Sequence, residues 1–330
     1  PPLAPDRPAR LRRATGGGYG EGLSHESTIA KLTQMTQNGQ ISVDPFFELD
    51  KPYETVFSEE HLIDISRCRE NISNVLYQPE SLTNKARKAF QAKKFHNVSF
   101  SKTTIRDIEF KECDFQNCLF IDTKFLNCKF HHSTSIKDCN FYRSEFHDCY
   151  IDPSILVFSR AISRKYSNIV VHTFQDLLRN SKQMAQPLYS QRADIAFKKA
   201  LRDQWAYNRR KGRLSHQRYF WRVFHDRLFS WSMNYGYSPV RFGAWLIVLM
   251  FGLAFLNMHV IPVERLQGMP EGAGYREYLY FTIVTLTTLG FGDIHPKPGW
   301  GMLVIASESF LGLIGLSCLA AVIIKSIFKD

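Results

Sequence analysis

Several features of common protein classes are missing from this sequence. The first 22 residues are rich in proline, arginine and glycine and contain no apolar core, so no secretory signal is predicted. Without such a signal the seven cysteines are expected to be reduced, which disfavours a disulfide framework. They form no C-x2-C pair, which makes metal binding a less favoured interpretation. No nucleophile, metal cluster or phosphate-binding loop is recognisable, so we expect neither an enzyme nor a bound cofactor.

Charge is scarce in two long stretches of the chain. Of the 330 residues, 42 are Lys or Arg and 31 are Asp or Glu, but residues 242–260 contain none of these. Residues 301–324 contain only Glu308. Each stretch is long enough to cross the ~30 Å hydrocarbon layer of a membrane as a helix. The polar two-thirds of the chain before them is long enough for a separate module, so we predict a multidomain membrane protein.

A five-residue period runs through the middle of the polar part. Large apolar residues recur at every fifth position, small residues often lie two positions before them, and the frame slips once by one residue within 131–135. The large residues are Phe95, Phe100, Ile105, Phe110, Phe115, Phe120, Phe125, Phe130, Ile136, Phe141, Phe146, Ile151 and Leu156, and the small ones are Cys113, Cys118, Thr123, Cys128, Cys139, Ser144, Cys149 and Ser154. Neither an α-helix nor a flat strand repeats every five residues, so the period predicts a solenoid.

This segment resembles the pentapeptide-repeat proteins. The resemblance implies a right-handed quadrilateral β-helix with both columns pointing inward, and about three coils would fit here. Five of the seven cysteines fall in the small column, which favours packing over metal binding. Nine Lys or Arg balance nine Asp or Glu in residues 91–156, so the DNA mimicry found in some relatives is disfavoured. We expect the repeats to serve as a spacer, an oligomerisation element or a docking element. Whether they bind a cytoplasmic ligand or a protein partner is left open by the sequence.

A basic stretch connects the repeats to the first apolar stretch. Residues 172–184 and 191–210 are predicted to be helices separated by a loop that contains Pro187. Residues 189–241 hold twelve Lys or Arg against three Asp or Glu. Nucleic-acid binding is the alternative, but directly before a membrane span this density favours retention on the cytoplasmic side without a nucleic acid partner. Five residues share one side of the next helix, which predicts an amphipathic segment in the membrane interface. They are Trp221, Phe224, Leu228, Phe229 and Trp231.

Two predicted spans, residues 240–260 and 302–327, flank a shorter apolar segment. Residues 275–287 are too few to cross the membrane, so they predict a re-entrant helix whose non-helical continuation lines water. From position 285 to 293 that continuation reads Thr-Leu-Thr-Thr-Leu-Gly-Phe-Gly-Asp. It resembles the potassium-channel signature T-x-x-T-[VIL]-G-[YF]-G-D at every defining position. The resemblance implies an α-helical two-transmembrane pore domain with a re-entrant pore helix and K⁺ as the permeant ion.

The potassium-channel resemblance assigns roles to six consecutive residues. The selectivity filter consists of Thr288, Leu289, Gly290, Phe291 and Gly292. The backbone carbonyls of its first four residues would replace water around K⁺. Its two glycines permit left-handed backbone dihedrals, and its Leu and Phe side chains are expected to pack into a cuff against the pore helix. Asp293 is expected at the outer mouth, where it tethers the strand and attracts cations.

Residues around the filter follow from the same resemblance. Val284 occupies the filter-support position at which some bacterial relatives carry Glu, so that carboxylate pair is absent. A carboxylate inside a span is costly, and we predict that Glu308 hydrogen-bonds in its protonated form behind the filter at a subunit boundary. Gly312 has the offset of the hinge glycine in similar channels, with a packing role as the alternative. The cavity and gate are expected to be lined by Leu313, Leu316, Ala320 and Ile324.

Charge also predicts the orientation of the chain. Residues 261–300 hold three Lys or Arg against four Asp or Glu, whereas both flanks are basic, so both termini are expected in the cytoplasm and the spans in the plasma (inner) membrane. No helix carries Arg at every third residue, so no voltage sensor is predicted.

The predicted segments are a disordered arm (1–45), a cap of the repeat domain (46–90), the pentapeptide-repeat β-helix (91–158), a basic helical connector (159–220), an amphipathic interfacial helix (221–238) and the pore domain (239–330).

The leading hypothesis is a homotetrameric potassium channel in a lipid bilayer, with a cytoplasmic repeat domain that gates or docks the pore. Four copies are required because one filter strand supplies only a quarter of each oxygen ring. One alternative is a poorly selective cation channel, in which Leu289 and Phe291 loosen the filter. The other is a repeat-based docking protein that is anchored by a non-conducting pore.

Overall fold

The computed structural model of the chain describes residue 44, residues 46–83 and residues 89–327. The predicted disordered arm, residues 1–45, lies outside the described residues except for Asp44. The chain divides into two compact units, Pro1–Glu48 and Leu49–Asp330. In the first unit the amide of Phe47 donates to the carbonyl of Asp44 at 2.9 Å, which closes a turn. The described strands and helices all belong to the second unit.

Short parallel strands dominate the first half of the second unit. Their bounds are β1 (Glu54–Val56), β2 (Asn71–Tyr77), β3 (Ser81–Thr83), β4 (Phe90–Gln91), β5 (Lys94–Ser99), β6 (Thr104–Arg106), β7 (Glu109–Lys111), β8 (Asp114–Gln116), β9 (Lys124–Leu126), β10 (Lys129–Phe130), β11 (Ser135–Lys137), β12 (Glu145–His147) and β13 (Leu156–Val157), with helix α1 (Glu59–Cys68) after β1. They form three parallel sheets in the orders β1-β2-β5-β8-β11-β13, β12-β9-β6-β3 and β10-β7-β4. Phe95 pairs with Phe115, and Phe115 pairs with Ile136 across the slip. These sheets are compatible with a β-helix.

Both columns of the five-residue period are buried, as predicted, except for Ser154 at the end of the small column. The rings of Phe95 and Phe115 stack with centroids 4.7 Å apart, and those of Phe125 and Phe146 stack at 4.8 Å. All five cysteines of the small column are buried, and each thiol lies within hydrogen-bonding distance of a carbonyl of the preceding coil, as in Cys118 with Phe95 at 3.4 Å. The cysteine spacing therefore reflects packing between coils.

Ten positions of the repeat region, most of them directly before a small residue, share one backbone conformation. There the backbone is left-handed, with φ between 51° and 62°. The residues are Asn97, Lys102, Asp107, Glu112, Asn117, Asp122, Asn127, Asp138, Arg143 and Asp148. Seven of these ten are Asn or Asp, the non-glycine residues that adopt this conformation most readily. A left-handed residue directly follows β6, β7, β8, β9, β11 and β12, where it turns the chain toward the next sheet.

The stacked sheets begin earlier than the period indicates. Ile72 of β2 pairs with Phe95 of β5, and Leu82 of β3 pairs with Ile105 of β6. Leu82 and Phe90 are eight residues apart instead of five, and this longer interval hides the earlier coil from the sequence pattern. The parallel sheets therefore extend into the segment that the sequence assigned to an N-terminal cap.

An ion-pair cluster lies at the one-residue slip. His131 Nε2 is 2.5 Å from Glu109 Oε1, and the ammonium groups of Lys111 and Lys129 lie 3.1 Å and 3.4 Å from the same carboxylate. The hydrogen bond from His131, supported by the two lysines, lowers the pKa of Glu109 to about 2. The carboxylate is therefore ionised at neutral pH and holds the bulged segment against the neighbouring strands.

Helices cover the last coil. Helix α2 (Arg160–Lys165) is followed by α3 (Ser167–Gln183), and in α3 the side-chain amide of Asn180 donates to the carbonyl of Cys149 at 2.8 Å. The Asn180 side-chain oxygen accepts the Cys149 amide at 2.9 Å. This pair of bonds satisfies backbone groups that a further strand would otherwise bind. Ser154, predicted to point inward, is exposed because the chain leaves the repeat in a 3₁₀ turn, Pro153–Ile155.

Helix α4 (Pro187–Arg210) starts earlier than predicted. The sequence analysis placed Pro187 in a loop, which is wrong: it lies in the first turn of α4. Proline fits there because its missing N–H would have no intrahelical partner. Ala193 and Ala200 of α4 are buried against the same core as the repeats.

The C-terminal part consists of four helices and one small sheet. Their bounds are α5 (His216–Met233), α6 (Pro239–Val260), α7 (Tyr275–Leu286) and α8 (Trp300–Ile327), with an antiparallel pair, β14 (Leu266–Gln267) and β15 (His295–Pro296). The predicted spans are confirmed as helices: α6 and α8, with 22 and 28 residues, are long and apolar enough to cross a membrane. The apolar residues of α5 are exposed, as an interfacial helix requires, and Trp231 packs on Trp245 of α6 with centroids 3.7 Å apart.

Candidate functional site

The short helix α7 forms the base of the site. Its 12 residues extend roughly 18 Å at 1.5 Å per residue, which is less than the hydrocarbon thickness. Tyr278 of α7 is 1% exposed, and its hydroxyl donates to the carbonyl of Ile261 at 2.6 Å. Helix α7 is packed against both α6 and α8. The negative end of its dipole leads directly into the glycine-bearing segment.

The segment after α7 has the backbone alternation that its sequence predicts. The φ angles of Thr288, Gly290 and Gly292 are +57°, +57° and +76°, whereas Leu289 and Phe291 stay outside the left-handed region. Glycine adopts such angles without penalty, but a β-branched threonine rarely does. Alternation of this kind turns successive carbonyl groups toward the same side of the strand. That side can then present a row of oxygens to a cation.

The large side chains of this segment are not packed within one chain. Leu289 is 60% exposed and Phe291 is 65% exposed. The expected cuff against the pore helix is therefore not formed by α7 of the same chain. These two large apolar side chains lie beside a polar backbone strand. They can be buried only by contacts with groups outside their own chain.

Asp293 is tethered beyond the glycines. The hydroxyl of Tyr280 in α7 donates to Asp293 Oδ2 at 2.6 Å. This hydrogen bond lowers the pKa of Asp293, so that its carboxylate stays charged near the end of the segment. A Cβ at Gly268 (φ +86°) would overlap the carbonyl oxygen of Asp293. Gly268 was not identified from the sequence. A side chain is excluded at this position only because the pairing of β14 with β15 brings Asp293, 25 positions away, alongside it.

A buried polar group joins the three helices of the site. The side-chain amide of Asn257 in α6 donates to Glu308 Oε2 in α8 at 3.0 Å and to Thr282 Oγ1 in α7 at 3.1 Å. Glu308 is 5% exposed and Asn257 is 1% exposed. Glu308 forms a hydrogen bond to Asn257 within its own chain, next to α7, and its predicted location at a subunit boundary stays a prediction. Asn257 and Thr282 were not identified from the sequence.

Gly312 lies at the closest approach of two helices. A Cβ at this position would lie 2.7 Å from the carbonyl carbon of Leu286 and would overlap the carbonyl oxygen. Helix α8 continues through Gly312 without a break. The contact supports the packing role that the sequence analysis kept as an alternative, and the hinge role stays a prediction. Val284 is buried, and its carbonyl accepts the amide of Leu289 at 3.1 Å, so it supports the segment through its backbone.

The predicted cavity residues lie on the C-terminal half of α8. All four, Leu313, Leu316, Ala320 and Ile324, are exposed in the single chain. They lie on the part of α8 that follows the contact between Gly312 and the end of α7. Most of α8 is exposed in the single chain, so this surface can contact lipid or another copy.

Comparison with known protein families identifies the C-terminal part of the chain. Residues 243–329 match a family described as "Ion channel". The match covers nearly all of α6, the whole of α7, the glycine-bearing segment and α8. Together with the two apolar helices, it indicates an ion channel module of the two-transmembrane type that resides in a membrane.

Proposed function

We propose that this protein is a potassium-selective channel rather than an enzyme. Four copies surround one axis, and the carbonyls of Thr288, Leu289, Gly290 and Phe291 coordinate K⁺ in place of water. Asp293 lies at the extracellular mouth, and both termini lie in the cytoplasm of a cell whose plasma (inner) membrane holds the pore. The repeats form a right-handed quadrilateral β-helix of the pentapeptide type on the cytoplasmic side, and this domain gates or docks the pore.

The observation that carries the proposal is the backbone of the filter segment. Left-handed φ angles at Thr288, Gly290 and Gly292 alternate with ordinary ones at Leu289 and Phe291. This alternation is required if all carbonyl groups are to face an ion, and a packing loop has no need of it. The segment also follows the C-terminal end of a helix that is too short to cross the membrane.

The exposed side chains favour four copies. Leu289, Phe291 and the cavity residues of α8 are exposed apolar groups beside a strand whose carbonyl groups need partners. Association of copies around the strand buries these groups and completes each ring of oxygens at once. One chain alone offers a quarter of each ring.

Reconstitution in lipid bilayers tests the proposal. With K⁺ at different concentrations on the two sides and Na⁺ making up the balance, the reversal potential of the wild type should follow the K⁺ ratio, by about 59 mV per tenfold change for a monovalent ion. Gly290→Ala should abolish selective current, because its φ of +57° strains any other residue. Gly243→Ala, where an added Cβ meets nothing within 4 Å, is the matched control. A wild-type reversal potential near zero would support a poorly selective pore, and absence of current would support a docking protein.

A further inference from the structure

The turn between α5 and α6 has an unusual backbone. Asn234, Tyr235 and Gly236 all have positive φ angles, of 47°, 59° and 82°. A tyrosine in this region of φ is uncommon, so surrounding contacts must hold it there. Tyr235 and Gly236 are buried although the turn links two helices with exposed apolar faces.

The C-terminal end of α8 contacts this turn. Lys325 Nζ donates to the carbonyl of Tyr235 at 3.1 Å. The same ammonium group lies 3.8 Å from the ring centroid of Tyr237, which is a cation–π contact. Lys325 follows the predicted gate residue Ile324, so the contact involves the last turn of the helix that would close the pore.

The same turn is tied to α4. The hydroxyl of Tyr237 donates to Asp194 Oδ2 at 2.9 Å, and Lys198 donates to the same oxygen at 2.7 Å. Asp194 thus receives two hydrogen bonds and is fixed in position. The Tyr237 side chain therefore bridges Lys325 of α8 to Asp194 of α4 through its ring face and its hydroxyl.

Helix α4 is in turn fixed to the repeats. Arg192, two residues before Asp194, pairs with Asp152, whose side chain is 3% exposed at the end of the last coil. The ring of Tyr189 packs against that of Tyr150, with centroids 5.3 Å apart. Because α4 is one unbroken helix, a displacement of the last coil carries Asp194 with it.

We propose that Lys325, Tyr237 and Asp194 form a latch that transmits movement of the repeat sheets to the end of α8 and so sets the balance between open and closed pores. The inference rests on the proposed function as a channel and adds to it the route by which the repeats act. The side chain of Tyr237 connects α4 to α8, so loss of either Lys325 or Asp194 breaks that connection.

Single-channel recording of the full-length channel tests the latch. Lys325→Met and Asp194→Ala should each shift the ratio of open to closed time by about tenfold, the equivalent of one charge-assisted contact. The double variant should shift the ratio by no more than either single variant, because both remove one connection. Lys325→Arg keeps the positive charge and should therefore keep the wild-type ratio of open to closed time. Lys199→Met, at an exposed position of α4, is the control and should leave it unchanged.

The outcomes separate the latch from the channel itself. Selective wild-type current with an unaltered open-to-closed ratio in both single variants overturns the latch and leaves the channel proposal standing. Shifts that multiply in the double variant also overturn it, since they would come from two independent contacts. A lower thermal stability of the variants with an unchanged ratio would mean that the contact is structural only and would likewise refute the latch. Absence of wild-type current refutes the channel proposal and the latch together.

Discussion

Replacement of Gly312 by alanine tests how the end of α7, and with it the filter, is held. The added Cβ would lie 2.7 Å from both the carbonyl carbon and the Cα of Leu286. Ordinary carbon contacts begin near 3.4 Å, so Leu286 or α8 must move by about 0.7 Å or more. Both partners are backbone in packed helices, so the strain cannot be relieved by rotation of a side chain. Overpacking of this kind destabilises by about 1–3 kcal/mol.

The displacement should also reach the filter. Leu286 is two residues before Thr288, whose left-handed backbone depends on the position of the end of α7. We therefore expect Gly312→Ala to lower the unfolding midpoint of the assembled protein and to move its reversal potential from the K⁺ value toward zero. Thermal unfolding in detergent and bilayer recording measure the two effects on the same preparation.

Gly252→Ala in α6 is the control, because a Cβ there meets nothing within 4 Å. This variant should be as stable as the wild type or slightly more stable, since alanine favours helix over glycine by up to about 1 kcal/mol. If Gly312→Ala matches Gly252→Ala in both midpoint and reversal potential, the packing argument is refuted. If it changes only the open probability, Gly312 acts as a hinge and not as a packing contact.

Three further predictions follow from hydrogen bonds of the described residues. Tyr280→Phe removes the donor that lowers the pKa of Asp293, so block of the current by external acid should begin at a higher pH than in the wild type; an unchanged pH profile would contradict this. Glu109 has a depressed pKa of about 2, so its contribution to stability is present above about pH 4.5 and disappears as pH falls through 2. Because the side chain is partly exposed, Glu109→Gln should cost no more than about 1 kcal/mol at pH 7 and clearly less at pH 2 in thermal unfolding, and an equal cost at both pH values would rule out this account. Asn257→Leu leaves Glu308 buried without its partner and should destabilise the assembly by about 1–3 kcal/mol, whereas Glu308→Gln can still accept from the Asn257 amide and should be tolerated; equal losses in both variants would exclude the proposed contact.

Local requirements made much of the fold predictable. A phenylalanine at every fifth position, an Asn or Asp at the left-handed position and a small residue after it each satisfy a constraint inside one repeat, so the sequence carries the signal directly. The glycine-bearing segment after α7 is similar, because Gly290 and Gly292 are needed for the dihedrals of their own backbone. The earlier coil was missed because the interval between Leu82 and Phe90 breaks this local rule.

Contacts between distant segments were not predictable in the same way. Asn257 is one polar residue in an apolar helix, and only the crossing of three helices brings it to Glu308 and Thr282. The contact of Gly312 with Leu286 likewise depends on where α8 passes the end of α7. The residues that meet at such a helix crossing are not related by a sequence period. Their spacing along the chain therefore does not predict the contact.

The most direct test of potassium coordination is anomalous diffraction from crystals of the full-length protein grown with Rb⁺ in place of K⁺. The account predicts Rb⁺ peaks on a fourfold axis between the carbonyls of residues 288–291, with Leu289 and Phe291 packed against neighbouring chains. Crystals that show no fourfold assembly, or that hold no Rb⁺ between these carbonyls, would contradict it.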